Sequence, residues 1–261
     1  MTTLRHPTAI IEPGAEVHPS VRIGAYSIID EGAVIGANCV IETGARIYGL
    51  TRMGVGNRVG HGATIGAEPQ DLSYDRARAR PLVIGNHNQF REGVNISHGI
   101  KEEHGTRLGD HNYLMANAHI GHDCVLGDHN VFVNNGMIAG HVVVGDRAFI
   151  SGHSAVHQFC QVGSYAMVAA VSGVPRDVPP FALVDGHRAE IIGLNLVGLK
   201  RAGFAQARRS AIKQAYKVIF KQGLKTADAL QQLRASWPDN PDIAELCRFI
   251  EASTRGLLPH R

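Results

Sequence analysis

The sequence has few aromatic residues and few cysteines. Aromatic side chains make up 6% of the 261 residues and tryptophan occurs once, so the core must consist mainly of aliphatic and small side chains. The cysteines Cys39, Cys124, Cys160 and Cys247 lie far apart and form no C-x-x-C pair. This spacing argues against a disulfide framework or a zinc knuckle, and it predicts a reducing, cytoplasmic compartment.

Long apolar runs are also lacking. No stretch reaches the ~18 to 20 apolar residues that would span a membrane, and residues 1–6 lack the apolar core of a secretory signal. We therefore expect a soluble protein without a membrane span. Glycine occurs 30 times, but without the G-X-Y period of collagen. The net charge of +3 is unevenly distributed, because residues 200–261 hold 12 Lys and Arg against 5 Asp and Glu.

An aliphatic or aromatic anchor recurs at every sixth position over most of the chain. Residues six apart do not share a face of an α-helix, whereas six is a multiple of the two-residue period of a strand. Three such hexads would close one coil of 18 residues, which predicts a parallel β-helix over residues 1–183. Glycine often follows the anchor, and we expect glycine to serve the corners, where the backbone turns and can need positive φ. The 25 anchors are Ile11, Val17, Ile23, Ile29, Ile35, Ile41, Ile47, Met53, Val59, Ile65, Ile84, Phe90, Ile96, Leu108, Leu114, Ile120, Leu126, Phe132, Ile138, Val144, Ile150, Val156, Val162, Val168 and Val174.

Two insertions interrupt the hexads, at residues 68–83 and 102–107. An insertion in a solenoid must leave the stack as a loop, and such loops often carry function. We expect a functional role for the first insertion, whereas the second is expected to be a tolerated surface loop.

The period changes after Pro179-Pro180. Apolar residues at i, i+3, i+4 and i+7 predict amphipathic helices near residues 212–219, 230–233 and 243–250. Gly223 is expected to end the first of these helices and Thr226 to cap the second. The sequence therefore predicts a C-terminal α-helical domain over residues 184–261.

Histidines recur at one place on the predicted coils. His98, His122, His141 and His157 all lie in the third hexad of successive coils, so they should cluster on one face. A histidine in such a cluster can act as a general base near neutral pH. Asp123 could orient His122 only if the pair lies at a corner of the coil, because neighbouring side chains on a strand point to opposite faces. Zinc binding by three histidines and a merely solvated histidine face are the alternatives.

Several motifs that are more specific than the hexads carry a family resemblance. The chain resembles the acyl-carrier-protein:UDP-N-acetylglucosamine 3-O-acyltransferase family, which performs the first step of lipid A synthesis, and the similarity covers essentially the whole chain. It implies a left-handed parallel β-helix, a homotrimer and an active site between adjacent subunits. The motifs are His119-Ile-Gly-His-Asp-Cys124, Ala139-Gly-His141, Val156-His-Gln-Phe-Cys160, Asp177-Val-Pro-Pro180, Gly193-Leu-Asn195, Gly198-Leu-Lys-Arg201 and Ser253-Thr-Arg-Gly256.

The resemblance also implies roles for individual residues. His122 would take the proton of the sugar 3-hydroxyl, Asp123 would orient His122, and the N–H of Gly140 would stabilise the oxyanion. No metal or redox cofactor is implied, since the phosphopantetheine arrives on the acyl carrier protein. The implied substrate-binding positions are Asp71, Ser73, His119, His141, His157, Gln158, Asn195 and Arg201, and those of the acyl-length ruler are Ala169 and Ala170.

A basic segment points independently to an acidic partner. Residues 200–225 contain eight Lys and Arg and no Asp or Glu. Arg208 and Arg209 are expected near a helix start, where the helix dipole disfavours cations. Docking of the acyl carrier protein, which is acidic as a family, would explain this charge, whereas nucleic acid is disfavoured because aromatics are not interleaved with it. The predicted docking residues are Lys200, Arg201, Arg208, Arg209 and Lys213.

Three positions depart from the family pattern. Ser73 replaces a lysine in the motif Asp71-Leu-Ser-Tyr74, Val197 replaces a glutamate, and Ala202 replaces a second arginine. We hypothesise that acyl transfer is kept while the acceptor is bound differently, or is another nucleotide sugar such as a 3-amino analogue. A zinc carbonic anhydrase of the β-helix type and a catalytically silent scaffold are the competing classes, and metal analysis would separate the first of these.

Overall fold

The computed structural model describes residues 4–261. Residues 1–3 lie outside the described residues. They are the first residues of the predicted β-helical domain and of the N-terminal segment that lacks the apolar core of a secretory signal. Over residues 4–174 the chain forms 25 short strands, most of them two residues long.

The strands stack into three parallel sheets within the described chain. Sheet I contains every third strand from β1 to β25, sheet II every third strand from β2 to β23, and sheet III every third strand from β3 to β24. The strands are β1 (Ile10–Ile11), β2 (Glu16–Val17), β3 (Arg22–Ile23), β4 (Ile28–Ile29), β5 (Val34–Ile35), β6 (Val40–Ile41), β7 (Arg46–Ile47), β8 (Thr51–Met53), β9 (Arg58–Val59), β10 (Thr64–Ala67), β11 (Leu82–Ile84), β12 (Gln89–Phe90), β13 (Asn95–Ser97), β14 (Thr106–Leu108), β15 (Tyr113–Leu114), β16 (His119–Ile120), β17 (Val125–Leu126), β18 (Val131–Phe132), β19 (Met137–Ile138), β20 (Val143–Val144), β21 (Phe149–Ile150), β22 (Ala155–Val156), β23 (Gln161–Val162), β24 (Met167–Val168) and β25 (Gly173–Val174).

The hexad anchors form the core of this solenoid. Ile29, Ile65 and Ile120 are fully buried, as are most of the other anchors. In the regular coils each strand pairs with the strand 18 residues further along the chain, as Ile11 does with Ile29. The predicted parallel β-helix of hexad coils is confirmed, because an aliphatic residue at every sixth position always points into the same narrow prism.

At most corners the positive-φ residue is the third residue after the anchor. It is glycine at Gly14 and Gly32, among others, which confirms the expected corner role of glycine, but it is often another residue, as at Asn38 (φ 60°) and Asp123 (φ 57°). Most glycines that directly follow an anchor, Gly66 excepted, have a different role. A Cβ on Gly36 would lie 2.7 Å from the backbone of Gly54 in the next coil, so glycine is required there for close stacking of the coils.

A ladder of buried asparagines runs through the prism, and the hexad pattern did not reveal it. The side-chain oxygen of Asn57 accepts the backbone N–H of Asn88 at 2.9 Å, and Asn88 and Asn112 each do the same for the next asparagine. Asn130 ends the ladder by accepting the N–H of Ala148 at 2.8 Å. These bonds satisfy polar groups that the core would otherwise leave unpaired.

Two inserted loops leave the stack on the same edge. The first inserted loop, residues 68–81, includes a 3₁₀ turn at Arg76–Arg78, and the second inserted loop comprises residues 98–105. Both predicted insertions therefore end too late in the sequence, because residues 82–83 belong to β11 and residues 106–107 belong to β14.

The β-structure continues past the last hexad into an unpredicted hairpin. Strand β26 (Ala182–Asp185) pairs in parallel with β24 and antiparallel with β27 (Glu190–Leu194), which extends sheet III. The predicted boundary between residues 183 and 184 lies within β26, and the division into these two domains stays a prediction.

Four α-helices follow within the described residues, and three of them correspond to the predicted ones. They are α1 (Leu196–Arg201), α2 (Gln206–Lys221), α3 (Thr226–Ser236) and α4 (Pro241–Ala252). The short α1 was not predicted. Thr226 is the first residue of α3 rather than its cap, and the capping position belongs to Lys225, which makes no side-chain hydrogen bond. Across residues 4–261, no helix combines the length and the apolar character that crossing a membrane would require.

A buried carboxylate joins the helices to the β-helix. Asp177 is fully buried; its carboxylate accepts the N–H of Gln161 at 2.7 Å and the hydroxyl of Ser253 at 2.6 Å. The backbone of Asp177 also bonds Gly256 and Leu258. Two of the motifs that carry the family resemblance therefore meet in a structural contact.

Candidate active site

His122 and Asp123 form a hydrogen-bonded pair at a corner of the coil. Ile120 is the buried anchor of β16, and Asp123 takes the positive-φ corner position three residues later. The turn brings the carboxylate back alongside its neighbour, so that His122 Nδ1 and Asp123 Oδ2 are 2.8 Å apart. Asp123 therefore lies at a corner of the coil, which is the position that it needs in order to contact His122.

The second inserted loop holds the carboxylate of Asp123. The backbone N–H groups of Ile100, Lys101 and Glu102 donate to Asp123 Oδ1 at 3.0, 3.1 and 3.0 Å. Burial of this side chain raises its pKa, but the hydrogen bonds from His122 and from the three N–H groups outweigh burial and lower the pKa to about 2. The second insertion is therefore not a tolerated surface loop, as was expected, but a cradle for this carboxylate.

The carboxylate determines which nitrogen of His122 is free. Because ionised Asp123 can only accept hydrogen bonds, His122 Nδ1 carries the hydrogen and the lone pair of Nε2 faces outward. Asp71 Oδ2, from the first inserted loop, lies 3.8 Å from Nε2. In the neutral imidazole, Nε2 is then the nitrogen that can accept a proton from a bound group.

Ser73 acts on Asp71. Its backbone N–H and its hydroxyl both donate to Asp71 Oδ1 at 2.8 Å, and these two bonds lower the pKa of Asp71. Asp71 is therefore held as an anion beside His122. The hydroxyl of Ser73 thus donates to this carboxylate in the single chain, and its predicted contact with substrate stays a prediction.

Gly140 lies against the reactive edge of His122. A Cβ at Gly140 would be 2.6 Å from His122 Nε2, so any larger residue would displace the imidazole. The N–H of Gly140 has no hydrogen-bond acceptor in the described part of the chain. A donor without an acceptor next to a proton-accepting nitrogen is suited to stabilising an oxyanion.

Two further predicted histidines flank the pair as neutral rings. His119 Nδ1 donates to Asn95 Oδ1 at 2.8 Å, which leaves Nε2 of His119 free. His141 lies edge-on to His122, with ring centroids 5.1 Å apart, and stacks on Phe159 at 4.4 Å. Burial lowers the pKa of both His119 and His141 and favours their neutral forms.

A cavity of about 510 Å³ opens beside Nε2 of His122. Its walls come from the first inserted loop, from sheet I and from the corner after β22. Predicted residues Asp71, His119, Gly140 and Gln158 line the cavity together with His122, as do the apolar Leu72, Met137 and Ala155.

Other predicted binding residues lie outside this cavity in the single chain. His157 is exposed, and its Nδ1 lies 3.2 Å from the carbonyl of Gln158. Asn195 caps α1 by accepting the N–H of Gly198 at 3.0 Å and donates to the carbonyl of Tyr165 at 2.9 Å. The structure therefore assigns Asn195 a structural contact that the sequence motif did not reveal.

One of the predicted docking residues forms an ion pair within the chain. Arg208 donates to both carboxylate oxygens of Asp242 at 2.6 and 2.7 Å. This ion pair accounts for a cation at the start of α2, so no docking partner is needed to explain it. Lys200, Arg201 and Arg209 line a groove beside α1, to which the exposed Val197 also contributes.

His122 and Asp123 are not arranged primarily as a metal site. Ligand atoms of His122, Asp123 and His141 lie within 4.8 Å of one another, which is close enough for a divalent cation. However, Asp123 is saturated with N–H donors, and a metal ion would have to displace the 2.8 Å bond from His122. The donors fit an anionic carboxylate that orients a base better than they fit a zinc ligand.

We predict that Asp123→Asn changes the pH dependence of stability. Because the folded pKa is lowered to about 2, this carboxylate stabilises the fold above the unfolded pKa of ~3.9 and loses that effect as pH falls toward 2. The variant should be less stable at pH 7, by about 2 kcal/mol or more.

Thermal unfolding between pH 7 and pH 2.5 measures this effect. The difference between the wild type and Asp123→Asn should shrink as pH falls below 4, whereas the exposed Asp128→Asn should change stability less. Parallel curves for the wild type and Asp123→Asn over this range would contradict the assignment.

Comparisons with known proteins agree with this fold. The bacterial transferase hexapeptide model matches residues 14–49 and 105–140, and the UDP-N-acetylglucosamine O-acyltransferase domain 2 model matches residues 177–258. An acyl-[acyl-carrier-protein]–UDP-N-acetylglucosamine O-acyltransferase from Anaeromyxobacter sp. (strain Fw109-5) is 44% identical over 253 residues, 97% of this chain and 98% of that protein. A protein of the same name from Neisseria gonorrhoeae is 42% identical over 257 residues, 98% of this chain and 99% of its own.

A solved structure shares the architecture. LpxA from Acinetobacter baumannii is 38% identical, with a TM-score of 0.94 over 98% of this chain and 99% of its own. The predicted left-handed parallel β-helix with a C-terminal helical region is thereby confirmed. The zinc carbonic anhydrase considered from the sequence is not supported, because the chain is an acyltransferase. It belongs to the acyl-[acyl-carrier-protein]–UDP-N-acetylglucosamine O-acyltransferase family.

Proposed function

We propose that this protein transfers a (3-hydroxy)acyl chain from acyl carrier protein to the 3-position of UDP-N-acetylglucosamine or a closely related nucleotide sugar, the first step of lipid A synthesis. One observation carries the proposal. The Asp123–His122 pair presents Nε2 of His122 to a cavity beside the free N–H of Gly140. The names of the relatives support the two substrates.

In this proposal His122 Nε2 takes the proton of the sugar 3-hydroxyl as its oxygen attacks the thioester carbonyl. The N–H of Gly140 stabilises the negative oxygen of the tetrahedral intermediate. The intermediate then expels the phosphopantetheine sulfur, which receives the proton from His122. Asp123 stabilises the imidazolium that exists between the two proton transfers. No metal or redox cofactor takes part.

The acceptor is placed by the first inserted loop. Asp71 lies at the cavity wall and is expected to contact the sugar, and Ser73 keeps this carboxylate oriented. With Ser73 in place of the family lysine, Asp71 has no side-chain cation in its own motif. A carboxylate in this state can accept an ammonium group, so a 3-amino nucleotide sugar is the second candidate acceptor.

A homotrimer would complete the site. His157 and Arg201 are exposed in the single chain, as are the apolar side chains of Met137, Val143 and Phe159. We propose that these residues meet an adjacent subunit, where His157, Asn195 and Arg201 would help to bind the nucleotide or the acyl donor. The cytoplasm is the proposed location, in keeping with four buried free cysteines.

The acyl carrier protein is expected to dock on cations of the helical region. Lys213 and Lys217 make no side-chain hydrogen bond in the described chain, whereas Arg209 donates to the carbonyl of Phe204 and Lys221 to that of Arg261. Arg209 and Lys213 lie four residues apart on α2, as do Lys217 and Lys221, so all four share one face. They border two grooves that meet at the half-exposed Leu196. Electrostatic attraction would steer an acidic partner to this face. Arg208, in its pair with Asp242, is not part of this surface.

The acyl chain is expected to run along sheet I from His122 toward β25. The cavity follows this direction, since Met137 of β19 and Ala155 of β22 line it. Three strand spacings separate β16 from β25, a distance of about 14 Å. Ala169 and Ala170 lie at the corner that leads into β25 and would limit the chain there.

An acyl-transfer assay with mass detection of products tests the proposed function. Acyl carrier proteins of several chain lengths and a panel of nucleotide sugars, including the 3-amino analogue, serve as substrates. His122→Ala should lower kcat at least about 100-fold because the general base is lost. Gly140→Ala should lower kcat comparably because its methyl group displaces the imidazole.

The matched controls are the exposed His153→Ala and Gly152→Ala, whose Cβ would come no closer than 3.3 Å to Asn134. Both should retain activity. Absence of transfer to every sugar would refute the proposed function. Preference for the ordinary 3-hydroxyl sugar would eliminate the amino acceptor.

Charge reversal tests the docking surface. Lys213→Glu combined with Lys217→Glu should raise KM for the acyl carrier protein at least about tenfold, with KM for the nucleotide sugar unchanged, because only steering of the acidic partner is lost. The effect should weaken with added salt. Arg22→Glu, at the opposite end of the β-helix, is the control, and an equal effect of this control would contradict the assigned surface.

Replacement of Ala170 by Gly tests the ruler. Removing the methyl group should lengthen the preferred acyl chain by a carbon or two, because the end of the channel becomes deeper. Competition between acyl carrier proteins of different chain lengths measures the preference. An unchanged profile would remove Ala170 from this role.

A further inference from the structure

We propose that Tyr74 and His98 form a positioning pair that couples the two inserted loops, so that one contact aligns Asp71 with the Asp123–His122 pair. The inference rests on the proposed function for its kinetic consequence, while the contact itself is visible in the structure. Neither residue lines the cavity beside His122, so both would act through the groups that they hold in place.

On the first loop, Tyr74 closes the turn that presents Asp71. The carbonyl of Asp71 accepts the backbone N–H of Tyr74 at 3.0 Å, and Ser73 fixes the carboxylate within this turn. The half-buried ring of Tyr74 reaches the solenoid, where its hydroxyl lies 3.1 Å from His98 Nε2. The two rings meet edge-on with centroids 5.5 Å apart. Tyr74 thus attaches the Asp71 turn to the coil.

On the second loop, His98 is a buried acceptor of defined tautomer. The side chain is nearly inaccessible, and Nδ1 lies 2.8 Å from the carbonyl of Gly99. Because a carbonyl can only accept, Nδ1 carries the hydrogen and Nε2 accepts the hydroxyl hydrogen of Tyr74. Burial lowers the pKa of His98, which keeps this acceptor unprotonated.

The chain leaving His98 leads directly to Asp123. Gly99 exchanges two backbone hydrogen bonds with Arg80, at 2.7 and 3.1 Å, and this joins the end of the first loop to the start of the second. The next three N–H groups, of residues 100–102, are those that hold the carboxylate of Asp123. A Cβ at Gly99 would lie 2.8 Å from Asp123 Oδ1, so there is no room for a side chain at this position.

The coupling predicts different effects on the two substrates. Loss of the Tyr74 hydroxyl frees the turn that carries Asp71 and leaves His98 Nε2 buried without a partner, a costly state for a polar atom. The sugar contact of Asp71 should weaken most. The acyl carrier protein docks elsewhere, so its binding should not change.

Tyr74→Phe is the decisive variant, because it removes one hydroxyl and keeps the ring. KM for UDP-N-acetylglucosamine should rise about five- to tenfold, while KM for the acyl carrier protein stays within twofold. Tyr113→Phe is the matched control, because Tyr113 loses a hydrogen bond of 2.9 Å to Arg91 on sheet III, away from both loops.

Backbone hydrogen exchange provides a readout that is independent of activity. In Tyr74→Phe, exchange should accelerate both in residues 71–74 and in residues 100–102, with the strands of the β-helix unchanged. His98→Gln retains a donor and an acceptor and should restore part of the sugar affinity that His98→Leu loses.

Two outcomes would overturn the inference. One is a sugar KM of Tyr74→Phe within twofold of the wild-type value; the other is faster exchange confined to the first loop. A wild-type protein that transfers no acyl group would instead refute the proposed function, and the exchange data would still decide whether the loops are coupled.

Discussion

The close stacking of the coils is the constraint on which the rest of this structure depends. Successive strands lie one hydrogen-bonded spacing apart, about 4.8 Å, so the chain must turn sharply three times per coil. At most corners the turn is made by a positive-φ residue three positions after the anchor. At one edge this rule aligns Asp123, His141 and Phe159, which are 18 residues apart, in a single column. The orienting carboxylate and its stacked neighbours are therefore a direct product of the solenoid geometry.

The two loops convert this column into a chemical site. A bare corner would leave Asp123 in contact with water, where its charge is weakly directed. The N–H groups of residues 100–102 replace that water and hold the carboxylate as a buried anion. Burial simultaneously keeps His119 and His141 neutral. The result is one directed negative charge behind the imidazole of His122, with neutral rings on its flanks.

The helical region has a separate part in the molecule. Asp177 and Ser253 fasten it to the last coils through buried hydrogen bonds, and the Arg208–Asp242 pair stabilises the start of α2. These polar contacts lie inside the chain, whereas Lys213 and Lys217 of α2 are exposed. Net charge alone cannot separate the cations that pair within the chain from those that are exposed.

The sequence by itself determined the solenoid and the histidine face. A six-residue period is a local pattern, and its repetition over 25 hexads leaves a single arrangement of anchors, which is why the core and the placement of His122 were predictable. Only the tertiary structure decided three interactions: the hydrogen bonds from residues 100–102 to Asp123, the hydrogen bond from Ser73 to Asp71, and the ion pair of Arg208 with Asp242. The hydrogen bonds to Asp123 and the Arg208–Asp242 ion pair join residues about 20 to 35 positions apart, and the hydrogen bond from Ser73 depends on one particular turn. None of these interactions repeats along the chain. A periodic pattern reports where a side chain lies on its coil, whereas its hydrogen-bond partner depends on how the irregular loops fold back.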